Sequence, residues 1–244
     1  MWRRPLPTFD LELELQRQGF PLVAGVDEAG RGPLAGPVAA AAVVLPPEEA
    51  GSAWLHLVDD SKALTPLQRR KALEHIENHA IAIGLGMATH QEIDSQGIGS
   101  STRAAMLRAI ANLRSRRDTE EVIRPSHLLV DFVKLPECGI PFLAMARGDS
   151  LSYSIAAASI VAKVARDRLM EEADAMYPGY GFSQHKGYPT PHHLRQLGLL
   201  GPSPIHRRSF SPLRDLCITA ETTSGQDLRR NDGCSNASLR CRVS

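Results

Sequence analysis

Apolar residues in this chain fall into short runs closed by proline or glycine, separated by longer stretches where they recur at helical spacing. Residues 21–26, "PLVAGV", read as a strand that ends at the adjacent acids Asp27 and Glu28. Residues 38–45, "VAAAAVVL", read as a second strand, bounded by Pro37 and by Pro46 and Pro47. The Gly- and Pro-rich segment between them is short enough for an antiparallel connection. "SKALTPLQRRKALEHIENHA" places Leu67, Ala72 and Ile76 on one helical face, with Thr65 as N-cap and Pro66 at the first helical position. A strand is predicted over 80–89, and a second helix through "STRAAMLRAIANLRS" on Ala105, Leu107, Ile110 and Leu113.

"SHLLVDF" reads as a central strand carrying Asp131 at its C-terminal end, and "PFLAMARGDS" as a strand ending at Asp149. The longest helix is predicted over 151–176, and its small residues at 156–159 would let it lie close to the sheet. From about residue 218 the chain turns polar and loses apolar periodicity, so disorder is expected there. There are no internal repeats. The organisation predicted is an N-terminal extension over 1–20, one α/β domain over 21–217 and a polar tail over 218–244.

Composition changes this picture little. The 244 residues are 43% hydrophobic and 23% charged, with a formal net charge of +1, as in ordinary globular proteins. Nucleic-acid binding would therefore rest on a local patch, for which Arg31, Lys62, Lys163, Arg166 and Lys186 are the candidates. "MWRRPLPTFD" lacks the apolar core of a signal peptide, and no apolar run reaches the roughly 18 residues of a membrane span. A cytoplasmic protein without membrane contact is expected. Cys138, Cys217, Cys234 and Cys241 form no metal-binding spacing and are read as free thiols.

The candidate chemistry lies in the acids. An Asp at a strand end is often a turn or cap residue, and Asp149 could cap the long helix. Strand C-terminal ends, however, gather on one edge of an open α/β sheet. Asp27, Glu28, Asp131 and Asp149 brought together there would repel unless cations compensated them, and hard oxygen ligands suit Mg²⁺ or Mn²⁺. Two such ions about 4 Å apart would serve phosphoryl chemistry. Asp167 sits roughly 27 Å beyond Asp149 by helical rise and is read as an ion-pairing helix residue. His185, Lys186, His192 and His193 look superficially like a metal cluster, but phosphate or surface contact is the expectation.

Six motifs carry a resemblance: "GVDEAGRGPLAGPV", "DDSKALT", "EIDSQGI", "LLVDFVKLP", "GDSLSYSIAAASIVAKVARDRLM" and "YPGYGFSQHKGYPTPHH". In this order the chain resembles the type 2 ribonucleases H, the bacterial ribonuclease HII family. The resemblance implies a ribonuclease H-like mixed sheet flanked by helices, with a helical C-terminal part. It implies an endonuclease that hydrolyses the RNA strand of RNA–DNA hybrids and incises 5′ of ribonucleotides embedded in duplex DNA, with roles in replication and ribonucleotide excision repair. Two-metal hydrolysis leaving 5′-phosphates would use Asp27, Glu28, Asp131 and Asp149 as ligands of Mn²⁺ or Mg²⁺.

Gly30, Arg31 and Gly32 match the element whose peptide groups read the ribose 2′-hydroxyl, and Tyr188 the tyrosine that packs on the sugar beside the scissile bond. Lys62 is the candidate phosphate contact. Many relatives have glycine after the third acid, where this chain has Phe132. The sister ribonuclease HIII family carries an extra N-terminal domain, and the 26 residues before Asp27 disfavour that reading. The rival from another class, a catalytically dead hybrid-binding module, is disfavoured by retention of all four acids. A monomer is expected, and the tail lacks the glutamine-plus-aromatics pattern of a clamp-binding peptide.

Overall fold

Val23, Ala24 and Val26 are buried on both faces of a central strand, β1 (Val23–Ala29), which runs on through the acid pair. The computed structural model describes residues 7–214, so expectations for the tail over 218–244 lie outside the described residues. By their internal contacts, residues Met1–Arg207 form one unit and Arg208–Ser244 a second.

β2 (Val38–Val44) pairs antiparallel with β1, and β3 (Ala82–Ala88) antiparallel with β2. The short β4 (Arg114–Ser115) closes that side of the sheet. On the other side β5 (His127–Asp131) and β6 (Phe142–Met145) run parallel to β1, giving the order β4-β3-β2-β1-β5-β6. This is the mixed sheet flanked by helices that the motifs implied. β2 is buried along its whole length, so it reads as a continuous apolar run rather than as alternation.

Helix α1 (Asp10–Arg17) precedes the sheet, and α2 (Pro66–His79) starts at the predicted Thr65 cap. Gln68 completes a capping box there, its side chain accepting from the Thr65 N–H at 2.8 Å. α3 (His90–Ala111) begins well before the predicted stretch, and Thr89 with Glu92 forms a second capping box. It breaks at Gly97, whose φ of 78° is not helical. That break and the polar run before it hide the first half of the helix from a periodicity reading.

The long helix α4 (Tyr153–Met176) crosses β1 and β2, and Ala156, Ala157 and Ala158 are fully buried against them. The approach is close: a Cβ on Gly25 would lie 2.0 Å from the Ser154 backbone. The predicted small residues at 156–158 are buried in this contact, and Gly25 on β1 permits the close approach. Glu12 of α1 anchors the start of α4, accepting from Ser152 Oγ at 2.6 Å and from the Ser154 N–H at 3.1 Å. Burial pushes its pKa up, against the hydrogen bonds from Ser152 and Ser154. An acceptor at a helix N-terminus is favoured by the exposed N–H groups there. Two short helices, α5 (Phe182–His185) and α6 (Pro191–Leu200), make up the helical C-terminal part. Among the described residues no helix is long and apolar enough to cross a membrane.

Candidate active site

Three neighbouring parallel strands end on the same edge of the sheet. Val26 pairs with Val130, so Asp27 and Asp131 are the next residues on β1 and β5. Asp131 in turn pairs with Met145, the last residue of β6. Asp149 does not end a strand, contrary to expectation: it follows β6 in a short 3-10 turn, Gly148–Ser150. Nor does it cap α4. Ser152 takes that place, its Oγ accepting from the Ile155 N–H at 3.2 Å. The Gly148 N–H donates to Asp131 Oδ1 at 2.7 Å and ties this turn to the edge.

The edge is electrostatically crowded. Asp27 and Asp149 are buried, and Glu28 is only slightly exposed. Burial pushes the Asp27 pKa well up, and the charges of Glu28 and Asp131 push it further. Burial also raises Glu28, with Asp131 adding to it while Arg31 and Lys62 oppose. Arg31 Nη1 stands 3.4 Å from Glu28 Oε1, but Glu28 Oε2 is buried without any hydrogen-bond partner. The Ser159 hydroxyl bonds Asp27, and Ser61 Oγ lies 2.7 Å from Ser159 Oγ. Beside Ser61, Lys62 faces the whole group: burial lowers its pKa, but Asp27, Asp60, Asp149 and Asp131 together raise it above the ordinary lysine value.

This donor set fits a hard divalent cation: it is all oxygen, under-compensated, and holds one orphaned buried carboxylate oxygen. As the acids stand, no three acid, histidine or cysteine side chains among the described residues are close enough to enclose an ion.

Beyond β1 the chain turns at Gly30, whose φ is 98°. Gly32 is exposed and lies against Tyr188, since a Cβ there would sit 3.6 Å from Tyr188 Cε1. The Gly30–Gly32 loop and Tyr188 are thus brought together. Tyr188 also borders a cleft of about 460 Å³ that Arg69, Arg70, Lys163, Arg168 and Lys186 line.

Several expected contacts are corrected. Arg166 is not a surface cation: it is 1% exposed, and its guanidinium donates to the carbonyls of Pro37, Lys186 and Ala35. Lys163 pairs with Asp167 at 2.6 Å and Lys186 with Glu171 at 2.7 Å, so neither presents an unopposed charge. Asp167 is the ion-pairing residue expected, with Arg69 as its second partner at 3.5 Å. His185 and His193 are buried and hydrogen-bonded to backbone carbonyls, which excludes the surface or phosphate contact predicted for them.

Sequence reading missed Arg207 altogether. Fully buried, it donates to the carbonyls of Gly30, Arg31, Gly36 and Pro37. Nothing in the periodicity of "SPIHRRSF" marks it, because its partners lie more than 160 residues away.

Comparison with known proteins identifies the family. Residues 24–212 match the family described as Ribonuclease HII. The chain is 47% identical over 210 residues to a ribonuclease HII of Dehalococcoides mccartyi, covering 86% of this chain and 95% of that one. The structure of the ribonuclease H2 from Pyrococcus horikoshii is similar with a TM-score of 0.68 at 29% identity, over 82% of this chain and 99% of that one. The ribonuclease HII in a complex with PCNA from Archaeoglobus fulgidus is similar with a TM-score of 0.61 at 25% identity, over 79% and 96%. A profile match across most of the chain, close identity and a shared fold point the same way: the protein belongs to the ribonuclease HII family of metal-dependent endoribonucleases.

Proposed function

We propose that this protein incises duplex DNA 5′ of an embedded ribonucleotide and cleaves the RNA strand of RNA–DNA hybrids, leaving 3′-hydroxyl and 5′-phosphate ends. The observation that carries the reading is that Asp27 and Glu28 on β1, Asp131 at the end of β5 and Asp149 in the turn after β6 share one edge of the sheet, with one buried carboxylate oxygen unpartnered. These four side chains would hold Mg²⁺ or Mn²⁺. When bound, two such ions supply an activated water and charge stabilisation for the departing 3′-oxygen.

The chain's own residues have separate tasks. Asp27 and Asp131, fixed on adjacent strands, would be the rigidly placed pair among the metal ligands. Lys62, a flexible cation over the acids, is suited to a non-bridging phosphate oxygen. Carboxylates and cations see only the phosphate, so ribose must be distinguished elsewhere. The peptide groups of Gly30, Arg31 and Gly32 would bind the 2′-hydroxyl, while Tyr188, 42% exposed beside Gly32, would pack on the adjoining sugar. A site that hydrogen-bonds a hydroxyl discriminates against substrates lacking it, because its own polar groups are left unpaired.

The test is cleavage of an end-labelled DNA duplex holding one ribonucleotide, beside a continuous hybrid and an all-DNA duplex, with Mg²⁺, Mn²⁺ or chelator. Cleavage of the first two only, dependent on metal and 5′ of the ribonucleotide, is expected. Metal-independent cleavage, or incision on the 3′ side, would overturn the reading.

A further inference from the structure

Two adjacent residues, His206 and Arg207, reach the two halves of the proposed junction reader from the inside of the molecule. Arg207 Nη2 donates to Gly30 O at 2.6 Å and Nη1 to Arg31 O at 3.0 Å. In a trans peptide the N–H points opposite to the carbonyl. With both carbonyls turned in toward Arg207, the N–H groups of Arg31 and Gly32 point away from it. Neither N–H makes a hydrogen bond among the described residues. The same guanidinium bonds Gly36 O and Pro37 O, and the Arg207 N–H donates to Leu34 O at 2.8 Å. The loop from Gly30 to Pro37 is thereby held at several points by one planar fork, which a lysine could not reproduce.

His206 reaches the other half. The Ser203 N–H donates to His206 Nδ1 at 2.9 Å, which leaves the proton on Nε2. His206 Nε2–H then donates to His193 Nε2 at 3.0 Å, and His193 Nδ1–H to Tyr188 O at 2.9 Å. Each donor in this chain has one acceptor, so the two imidazoles are held neutral in single tautomers. The stretch is also stitched to the loop, since the Gly36 N–H donates to Ile205 O and the Leu34 N–H to Gly187 O.

We infer that the His206–Arg207 dipeptide is a positioning clamp for ribose recognition: Arg207 turns the Arg31 and Gly32 N–H groups toward the 2′-hydroxyl, and His206, through His193, sets the place of Tyr188. The inference rests on the junction reading above. It goes further by naming residues that touch no substrate and yet set the discrimination between ribose and deoxyribose.

The experiment is equilibrium binding, in chelator so that no cleavage occurs, to two fluorescent duplexes that differ by a single 2′-hydroxyl. Wild type is expected to prefer the ribonucleotide duplex. Arg207→Lys should lower that preference about ten-fold, the worth of roughly one hydrogen bond, with little change in affinity for the all-DNA duplex. His206→Leu should lower it as well, and His206→Gln, which keeps a donor at similar reach, should restore most of it. A folded Arg207→Lys variant with the wild-type preference overturns the clamp, as does an equal loss on both duplexes. If wild type itself shows no preference, the junction reading is what fails. Should the variants not fold, amide exchange on wild type decides. Protection of Arg31 and Gly32 by the ribonucleotide duplex but not by all-DNA supports the clamp, and equal exchange with both overturns it.

Discussion

The carboxylate edge and the arginine-braced loop lie side by side and handle buried charge in opposite ways. At the edge, like charges crowd together, burial and mutual repulsion raise Asp27 and Glu28, and Glu28 Oε2 has no partner. In the loop, two buried guanidiniums, Arg166 and Arg207, are surrounded by backbone carbonyls. Burial lowers Arg166 to about 10 and Arg207 to about 9, and both remain charged at neutral pH. A charge left under-compensated is available to a ligand. A charge with its donors fully engaged can only hold something still. The first arrangement suits chemistry and the second suits recognition.

The sharpest way to break this comparison is at Asp149, the acid that could have been merely structural. Because Ser152 caps α4, Asp149→Asn leaves the helix start intact. If Asp149 belongs to the reacting edge, cleavage should fall about a hundred-fold or more, as expected for several kcal/mol of lost charge stabilisation. The melting temperature should hold or rise, since one repelling charge has gone. Near-wild-type cleavage by a folded variant would remove Asp149 from the site.

The two regions should also respond oppositely to pH. A carboxyl whose folded-state pKa is raised, as at Asp27, makes the folded state bind the extra proton, so stability falls as pH rises above about 4. A histidine whose folded-state pKa is lowered does the reverse. Burial first, and then the electrostatic influence of the neighbouring His193, takes His206 down to about 4 from 6.5. The unfolded chain therefore binds the extra proton between those values, and stability is lost as pH falls through that window, by up to about 3 kcal/mol. His206→Gln should flatten the acid limb of a stability-versus-pH curve between pH 4 and 6.5. Asp27→Asn removes an opposing slope, so it should steepen that limb and raise stability at neutral pH. An unchanged acid limb in His206→Gln would show that the chain to Tyr188 is not held neutral as its partners require.

The same contrast explains what the sequence makes legible. The edge is built by strand ends, and apolar runs closed by acids announce it: β1, β2, β3 and β5 lie where the pattern predicts them. Asp149 shows the limit of that reading. β6 stops at Met145, because hydropathy marks the run but not the turn that follows. The loop is built by contacts between residues far apart in the chain, such as Arg207 with Gly30, and no local pattern encodes them. Its cations were visible, yet Arg166 read as a surface residue because charge alone does not say whether carbonyls await it. α1 was missed for a related reason: Leu11, Leu13 and Leu15 alternate with acids instead of recurring at helical spacing, and only its partners on α4 reveal that Glu12 is buried.

The smallest expected effect concerns backbone strain. In the braced loop the left-handed positions Gly30 and Gly36 are glycines, with φ of 98° and 81°. Beside the acids, Phe132 and Arg147 adopt φ of 56° and 59° with full side chains. For an L-residue that conformation costs about 1–2 kcal/mol. Phe132 is held there by its N–H, which donates to Met145 O at 2.8 Å. Its ring is 66% exposed, so little apolar burial offsets the strain. Phe132→Gly removes the steric cost but adds freedom to the unfolded chain, worth about 0.5–1 kcal/mol in the other direction. A net gain of about 0.5–1 kcal/mol is expected, or about 1–4 °C in Tm for a chain of this size. Cleavage of the single-ribonucleotide duplex should change little, since the Asp131 carboxylate stays anchored by the Gly148 N–H. A fall in Tm would show that the ring packs more tightly than its exposure indicates. An unchanged Tm with weakened binding of the duplex would instead make Phe132 a substrate contact, with the strain retained at the reacting edge to hold an aromatic face outward.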